Sequence, residues 1–368
     1  MTILWAAILF GSLIFFHELG HFIVAKMVGV RVLKFSLGFG PKLLGKKIGD
    51  TEYLLSAIPL GGYVKPLGED PEDELTEEEK PYSFGYQPVW KRAAIVIAGP
   101  VFNLVLAFLI FTSFLALNYP IIVPDLDSIT TAINDVTEGS PAEAAGFLSG
   151  DEITAINGTD IMDWSEMAAV FSKSPGKELD VKVRRGDKVL NITVTPASEK
   201  GMDENGEEAT VGRIGISKKM SGNVIQSDSI FSAPVKGVQA VYEWSSLTLD
   251  VVAKLVTGNM SAKMMGGPIV IVNEAAKAAE VGAYPYLNLI AIISINLAIL
   301  NLLPVPVLDG GHLLFFGIEA LRRKPLSDKI MIVANKIGMT LLLLLIAFVI
   351  YNDTLKVIVP WVKRTILN

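Results

Sequence analysis

Hydrophobic residues along this chain are gathered into long runs, separated by stretches that are polar or that alternate. Four runs approach or exceed the roughly 20 residues a bilayer core requires: approximately 3 to 25, 93 to 117, 287 to 308 and 333 to 351. The fourth is weakest at its start, where Asn335 and Lys336 suit an interface and leave Ile337 to Tyr351 as the apolar part. Residues 29 to 68 follow another period. Val30, Val32 and Phe35 to Phe39 lean apolar with some alternation, Gly49-Asp50 signals a turn, and Tyr53 to Ile58 can return antiparallel. This predicts a β-hairpin. Its open edge either pairs with an extended peptide or belongs to an ordinary amphipathic surface hairpin. Glu69 to Glu79 is a charge run that reads as a solvated loop.

Between the second and third runs the pattern changes twice. Residues 128 to 217 carry short strand signals, including Val181 to Arg185 and Asn191 to Thr195. Asn157-Gly158-Thr159 matches a glycosylation sequon, although Asn-Gly reads first as a turn. Residues 228 to 282 are amphipathic at helical spacing, with Val235, Val238, Val241 and Tyr242, then Leu247, Leu249, Val252 and Leu255, broken at Gly266-Gly267-Pro268. These helices are expected to lie along the membrane surface or against the preceding domain, with Trp244 suited to an interface.

Composition agrees with spans plus a soluble insert. Of 368 residues, 51% are hydrophobic and 19% charged, and the charges fall largely outside the apolar runs. The absence of cysteine removes disulfides, thiol nucleophiles and Cys-type zinc sites, so a metal must use His, Asp or Glu. A net charge of −6 leaves no basic face for nucleic acid. Ten Lys and Arg between Lys26 and Arg92, and Arg322, Arg323, Lys324 and Lys329 after the third run, put the loops 26–92 and 309–332 in the cytoplasm. Residues 118 to 286 and both chain ends then face the other side.

Two clusters carry chemistry. In the first run, His17-Glu18-Leu19-Gly20-His21 is an H-E-x-x-H motif. On a helix its two histidines share one face, at a spacing that lets both imidazoles bind one zinc ion, while Glu18 is placed to take a proton from water. A chance match in a helix is the competing reading. The setting weighs against it, because one ionised side chain at mid-membrane costs about 2.5–3.5 kcal/mol. A cleaved secretory signal is disfavoured, since no positive residue follows Met1 and Val24-Ala25-Lys26 is not a small-residue cleavage site. The second cluster lies in the third run: Asn296, Asn301, Pro304, Pro306, Asp309, Gly310, Gly311 and His312. Asp309 can supply a third ligand to a His-His zinc site and leave one position for water, or cap a helix. The prolines free nearby carbonyls, which is tolerable at membrane depth only beside protein or a cavity. Asn301 and Asn296 either bond the backbone of an unwound substrate or act as interhelical glue. His312 suits an outer or interfacial role. In the second run Gly99 and Asn103 share a face, the glycine for close helix approach and the amide for a bond across it.

Ile133 to Val136, Ser140 to Phe147, Gly150 to Ile153 and Ile156 to Gly158 resemble the PDZ domains of bacterial proteases. That resemblance implies a recognition module that takes a peptide ligand by strand addition, or a size filter. Taken with His17 to His21 and Asn301 to His312, it makes nearly the whole chain similar to the site-2 protease family of intramembrane zinc metalloproteases, in its bacterial regulator-of-sigma-E branch. The resemblance implies a polytopic α-helical membrane protein with four transmembrane helices, a membrane-associated β-hairpin near 30 to 65 and an inserted extracytoplasmic PDZ domain, set in the bacterial inner membrane. It implies zinc on His17, His21 and Asp309, Glu18 as catalytic base, and Asn301 with Pro304 handling substrate. The implied substrate is a single-span membrane protein, such as an anti-sigma factor already cut once or a remnant signal peptide. The best-known member carries two tandem PDZ domains, whereas residues 118 to 286 have room for one. A metal transporter or a PDZ-bearing scaffold is the alternative; the first would need more ligand sets than three histidines provide, and the second has no use for Asp309.

Overall fold

A computed structural model describes residues 2–69, 74–124, 131–162, 164–202, 208–218, 222–258, 260 and 266–354. The chain opens with α1 (Thr2–Met27). Two long strands follow, β1 (Val32–Ile48) and β2 (Thr51–Pro66), turning at Gly49 with φ of +60°. Lys34 to Leu37 of β1 have partners on both sides, Gly62 to Lys65 and Glu52 to Leu55, while Lys42 to Ile48 pair with Thr51 to Ser56. The hairpin therefore folds back on itself into four adjacent segments, with 62–66 at one border. The charge run 69–79 is partly outside the described residues; at its end Glu79 accepts bonds from the Thr76 N–H and hydroxyl at 3.0 and 2.9 Å.

Next comes α2 (Val89–Ala116). It crosses α1 closely, because a Cβ at Gly20 would lie 2.2 Å from the Ala98 carbonyl oxygen. Only a glycine at the crossing lets the backbones come that near.

One compact unit is β-rich. Its strands are β3 (Ile121–Pro124), β4 (Ile133–Val136), β5 (Glu152–Ile156), β6 (Thr159–Asp160), β7 (Leu179–Arg185), β8 (Lys188–Val194), β9 (Ala197–Met202), β10 (Glu208–Arg213), β11 (Ile216–Lys218) and β12 (Gly222–Ile225). Helices α3 (Pro141–Ala145) and α4 (Trp164–Ser172) complete it. The largest sheet has the order β6-β5-β7-β8. Asn157 and Gly158, with φ of +50° and +75°, make the β5–β6 turn, so this Asn-Gly serves a hairpin. Ser140 caps α3 through the Glu143 N–H, and Gly146 closes it in the left-handed region at +87°. Ile133, Ile153, Met167 and Val181 form the core. The unit extends past the expected 128 to 217, of which 128 to 130, 163 and 203 to 207 lie outside the described residues. Strand β3 pairs with β12, Ile121 opposite Ile225, so the chain enters and leaves at one point.

The remaining helices are α5 (Ala233–Val256), α6 (Pro268–Val281), α7 (Ala283–Asn301), α8 (Asp309–Arg322) and α9 (Asp328–Asp353). With α1 and α2, α7 and α9 are long and apolar enough to cross a membrane. The third helix ends at Asn301, short of the expected 308, because Pro304 and Pro306 have no N–H to continue the ladder. The amphipathic segment docks on the spanning helices, which the surface placement did not anticipate. Ala233, Gly237 and Ala240 of α5 are buried, and a Cβ at Gly237 would fall 2.2 Å from the Thr112 hydroxyl of α2. Leu9 and Leu13 of α1, Leu106 of α2, Ala275 of α6 and Ile290 of α7 share one buried core. Asp353, fully buried at the end of α9, accepts from the N–H groups of Gly267, Ile269 and Val270 at 2.9, 3.0 and 3.2 Å, and so caps α6.

Candidate active site

His17 and His21 lie one helical turn apart on α1, with Nε2 atoms 3.2 Å from each other. Asp309, first residue of α8, brings Oδ2 to 3.2 Å from His17 Nε2 and Oδ1 to 3.8 Å from His21 Nε2. All three side chains are largely buried, exposing 12, 15 and 17%. A tetrahedral zinc with ligand bonds near 2.0–2.1 Å spaces its ligand atoms about 3.3 Å apart. Two of the three separations match that, and Asp309 Oδ2 is buried without a hydrogen-bond partner. Among the described residues this is the one group whose donor atoms, all within 4.8 Å, could hold a metal ion. The residues fit zinc.

Their supports come from α2. His21 Nδ1 donates to the Ile95 carbonyl at 2.8 Å, which leaves Nε2 bare toward the site. Asn103 sets its amide 3.2 Å from His17 Nδ1. A Cβ at Gly99 would stand 2.3 Å from His21 Nε2 and 2.8 Å from His17 Cε1, so the missing side chain makes room for both rings. Helix α8 is tied to α2 by Arg92, whose Nη2 donates to Glu319 at 2.5 Å in a largely buried pair. Glu18 faces the hairpin: its carboxylate takes the Val64 N–H, and a Cβ at Gly62 would sit 3.4 Å from its Cγ. Strand β2 thus runs past the candidate base.

Asn301 is half-buried and Pro304 exposed, at the head of the segment that joins α7 to α8. In that segment Leu308 N–H reaches the Val305 carbonyl at 3.1 Å, a turn with Pro306 second and Val307 third. Val307 has φ of +86°, the left-handed conformation such a turn usually assigns to glycine. A Cβ at Gly310 would lie 2.2 Å from the Leu303 carbonyl oxygen, and one at Gly311 2.4 Å from that of Val305, so the two glycines let α8 start against the turn's backbone. Asn296 accepts a bond from the Thr248 hydroxyl of α5 at 2.7 Å. His312 is exposed and outside the donor group. Sequence reading missed the Ile95 carbonyl, the Val64 N–H and Val307, none of which has a residue-type signature.

Two imidazoles, a carboxylate and a neighbouring glutamate among apolar helices define a membrane zinc hydrolase. The model of peptidase family M50 matches residues 5–345. An Agrobacterium fabrum protein named as a zinc metalloprotease is 36% identical over 354 residues, covering 93% of this chain and 92% of its own. The regulator of sigma-W protease RasP of Bacillus subtilis is 32% identical, covering 96% and 98%. The PDZ domain of an SdrC-like protein from Listeria monocytogenes is similar over 25% of this chain and 88% of its own, at 22% identity and a TM-score of 0.19. The chain belongs to peptidase family M50, the site-2 proteases, and is a multi-pass intramembrane zinc metalloprotease.

Proposed function

We propose that His17, His21 and Asp309 hold the zinc and that Glu18 is the general base in cleavage of single-span membrane proteins. The convergence of two Nε2 atoms and one carboxylate from helices almost 300 residues apart carries this reading. Zinc, when bound, polarises a scissile carbonyl and makes water acidic enough to attack near neutral pH. Glu18 takes the proton from the attacking water and returns it to the leaving amine. The border segment of β2, which passes Glu18 at Gly62 to Val64, holds the substrate as an added strand. An extended segment is needed because a helical substrate keeps its carbonyls hydrogen-bonded. Asn301 and Pro304, beside the same turn, steady the unwound backbone. With its amide oxygen already engaged by Thr248, Asn296 joins α5 to α7 and contributes to this binding through that junction.

The substrate is a membrane protein of the anti-sigma type, a reading supported by the name of the Bacillus relative, with remnant signal peptides as a further class. The β-rich unit, read as a PDZ domain, lies outside the cytoplasm with both chain ends and takes a peptide ligand or excludes bulky substrates; loops 26–92 and 309–332 face the cytoplasm of a bacterial inner membrane. A transporter or scaffold has no support in a peptidase family. Replacing Glu18 by Gln is expected to lower cleavage of a single-span reporter by at least about 100-fold while zinc stays bound; retained cleavage overturns the assignment.

A further inference from the structure

The two ring nitrogens that face away from the metal position are not served alike. His21 Nδ1 meets a backbone carbonyl, an acceptor that can only fix the Nδ1–H form of the ring. His17 Nδ1 meets the amide of Asn103, a group that is fully buried. As placed, the amide nitrogen faces the ring at 3.2 Å, and the amide oxygen is buried with no partner. A donor at that point suits a ring whose proton sits on Nε2, which is the atom that must be bare to bind a metal. The two ends of an amide have nearly the same shape, and their assignment follows from the hydrogen-bond network. Turning the amide by half a rotation presents Oδ1 to His17 Nδ1 and relieves the orphaned acceptor.

We propose that Asn103 is a positioning residue for the metal site: its side-chain oxygen accepts the His17 Nδ1 proton, fixing the tautomer and ring plane in which Nε2 binds zinc. The inference rests on the assignment of His17 as a ligand. Asn103 is itself anchored, since its backbone carbonyl accepts the buried Ser294 hydroxyl of α7 at 2.8 Å. Gly99, one turn earlier on α2, clears the space that lets the amide and both rings lie side by side. One face of α2 thus supplies an acceptor to each imidazole, Ile95 to one and Asn103 to the other.

The test is zinc affinity of the full chain in detergent, measured by competition with a chromophoric chelator, with the cobalt absorption spectrum as a second readout. Asn103→Leu is expected to weaken zinc by roughly 10–100-fold, the range typical of lost outer partners of a ligating histidine. Asn103→Asp keeps an acceptor at the same place and is expected to hold zinc within about threefold of the parent, with an unchanged cobalt spectrum. A residue that only fills space would give the opposite order, because leucine preserves bulk whereas aspartate buries a charge; that order overturns the proposal. If the leucine variant does not fold, Asn103→Ala carries the same expectation. His17→Ala separates the two claims. If it leaves zinc affinity unchanged, the ligand assignment fails; if it abolishes binding while the Asn103 variants bind like the parent, only the positioning role fails.

Discussion

Gly99 decides how near α2 can pass to the two imidazoles. A methyl group there would overlap His21 Nε2 at 2.3 Å, inside any real carbon contact, and both rings would have to move. Gly99→Ala is therefore expected to leave the helices assembled and to cut zinc retention after dialysis at least about tenfold, as read by elemental analysis. Val307 raises the reverse question, since a β-branched residue occupies a turn position that suits glycine. Such strain costs on the order of 1–3 kcal/mol. Val307→Gly should raise unfolding stability by a net of about 1 kcal/mol, seen as a higher thermal midpoint, whereas Val307→Ala should not. At this scale the sequence was informative where residue type carries the chemistry. His17, Glu18, His21 and Asp309 could be picked out because buried ionisable groups have few other reasons to occur in apolar runs. Gly99 and Val307 could not be read to this depth, because their roles depend on distances to atoms of other segments.

Among elements, Asp353 ties the end of α9 to the start of α6 with three backbone N–H donors. Those donors are otherwise the free groups of a helix start. Asp353→Ala leaves them buried and unpaired, which is expected to cost the docking of α6 about 2 kcal/mol. Hydrogen exchange at Ile269 and Val270 should then be roughly 30-fold faster, and unchanged exchange would show the cap to be dispensable. The four spanning helices were legible from run length alone, since lipid demands it. The hairpin was legible as alternation, but its folding back into four segments was not, because pairing register across Gly38 and Gly61 has no sequence mark. The packing of α5 was also hidden. Its Ala233, Gly237 and Ala240 stripe is as compatible with a surface helix as with a close helix contact.

For the whole molecule, the strands from Ile121 to Ile225 begin and end side by side and enclose a core of their own. Helix α9 stands apart in another sense. Leu341, Leu343, Leu344 and Leu345 each expose between 44 and 63% of their surface, in nearly every direction around the axis. Yet α9 meets the catalytic segment closely where a Cβ on Gly338 would fall 2.4 Å from the Pro306 carbonyl oxygen. Its apolar part, Ile337 to Tyr351, spans about 22 Å, less than the roughly 30 Å of a hydrocarbon core. Lipid must thin around it or draw Lys336 toward the headgroups, so how the helix is seated changes with the bilayer. Reconstituted into bilayers of successively longer acyl chains, the protease should show turnover that passes through an optimum, and Gly338→Leu should flatten that dependence by prising the two backbones apart. The enzyme would then be a gauge of the membrane in which it sits, reading thickness through a single glycine.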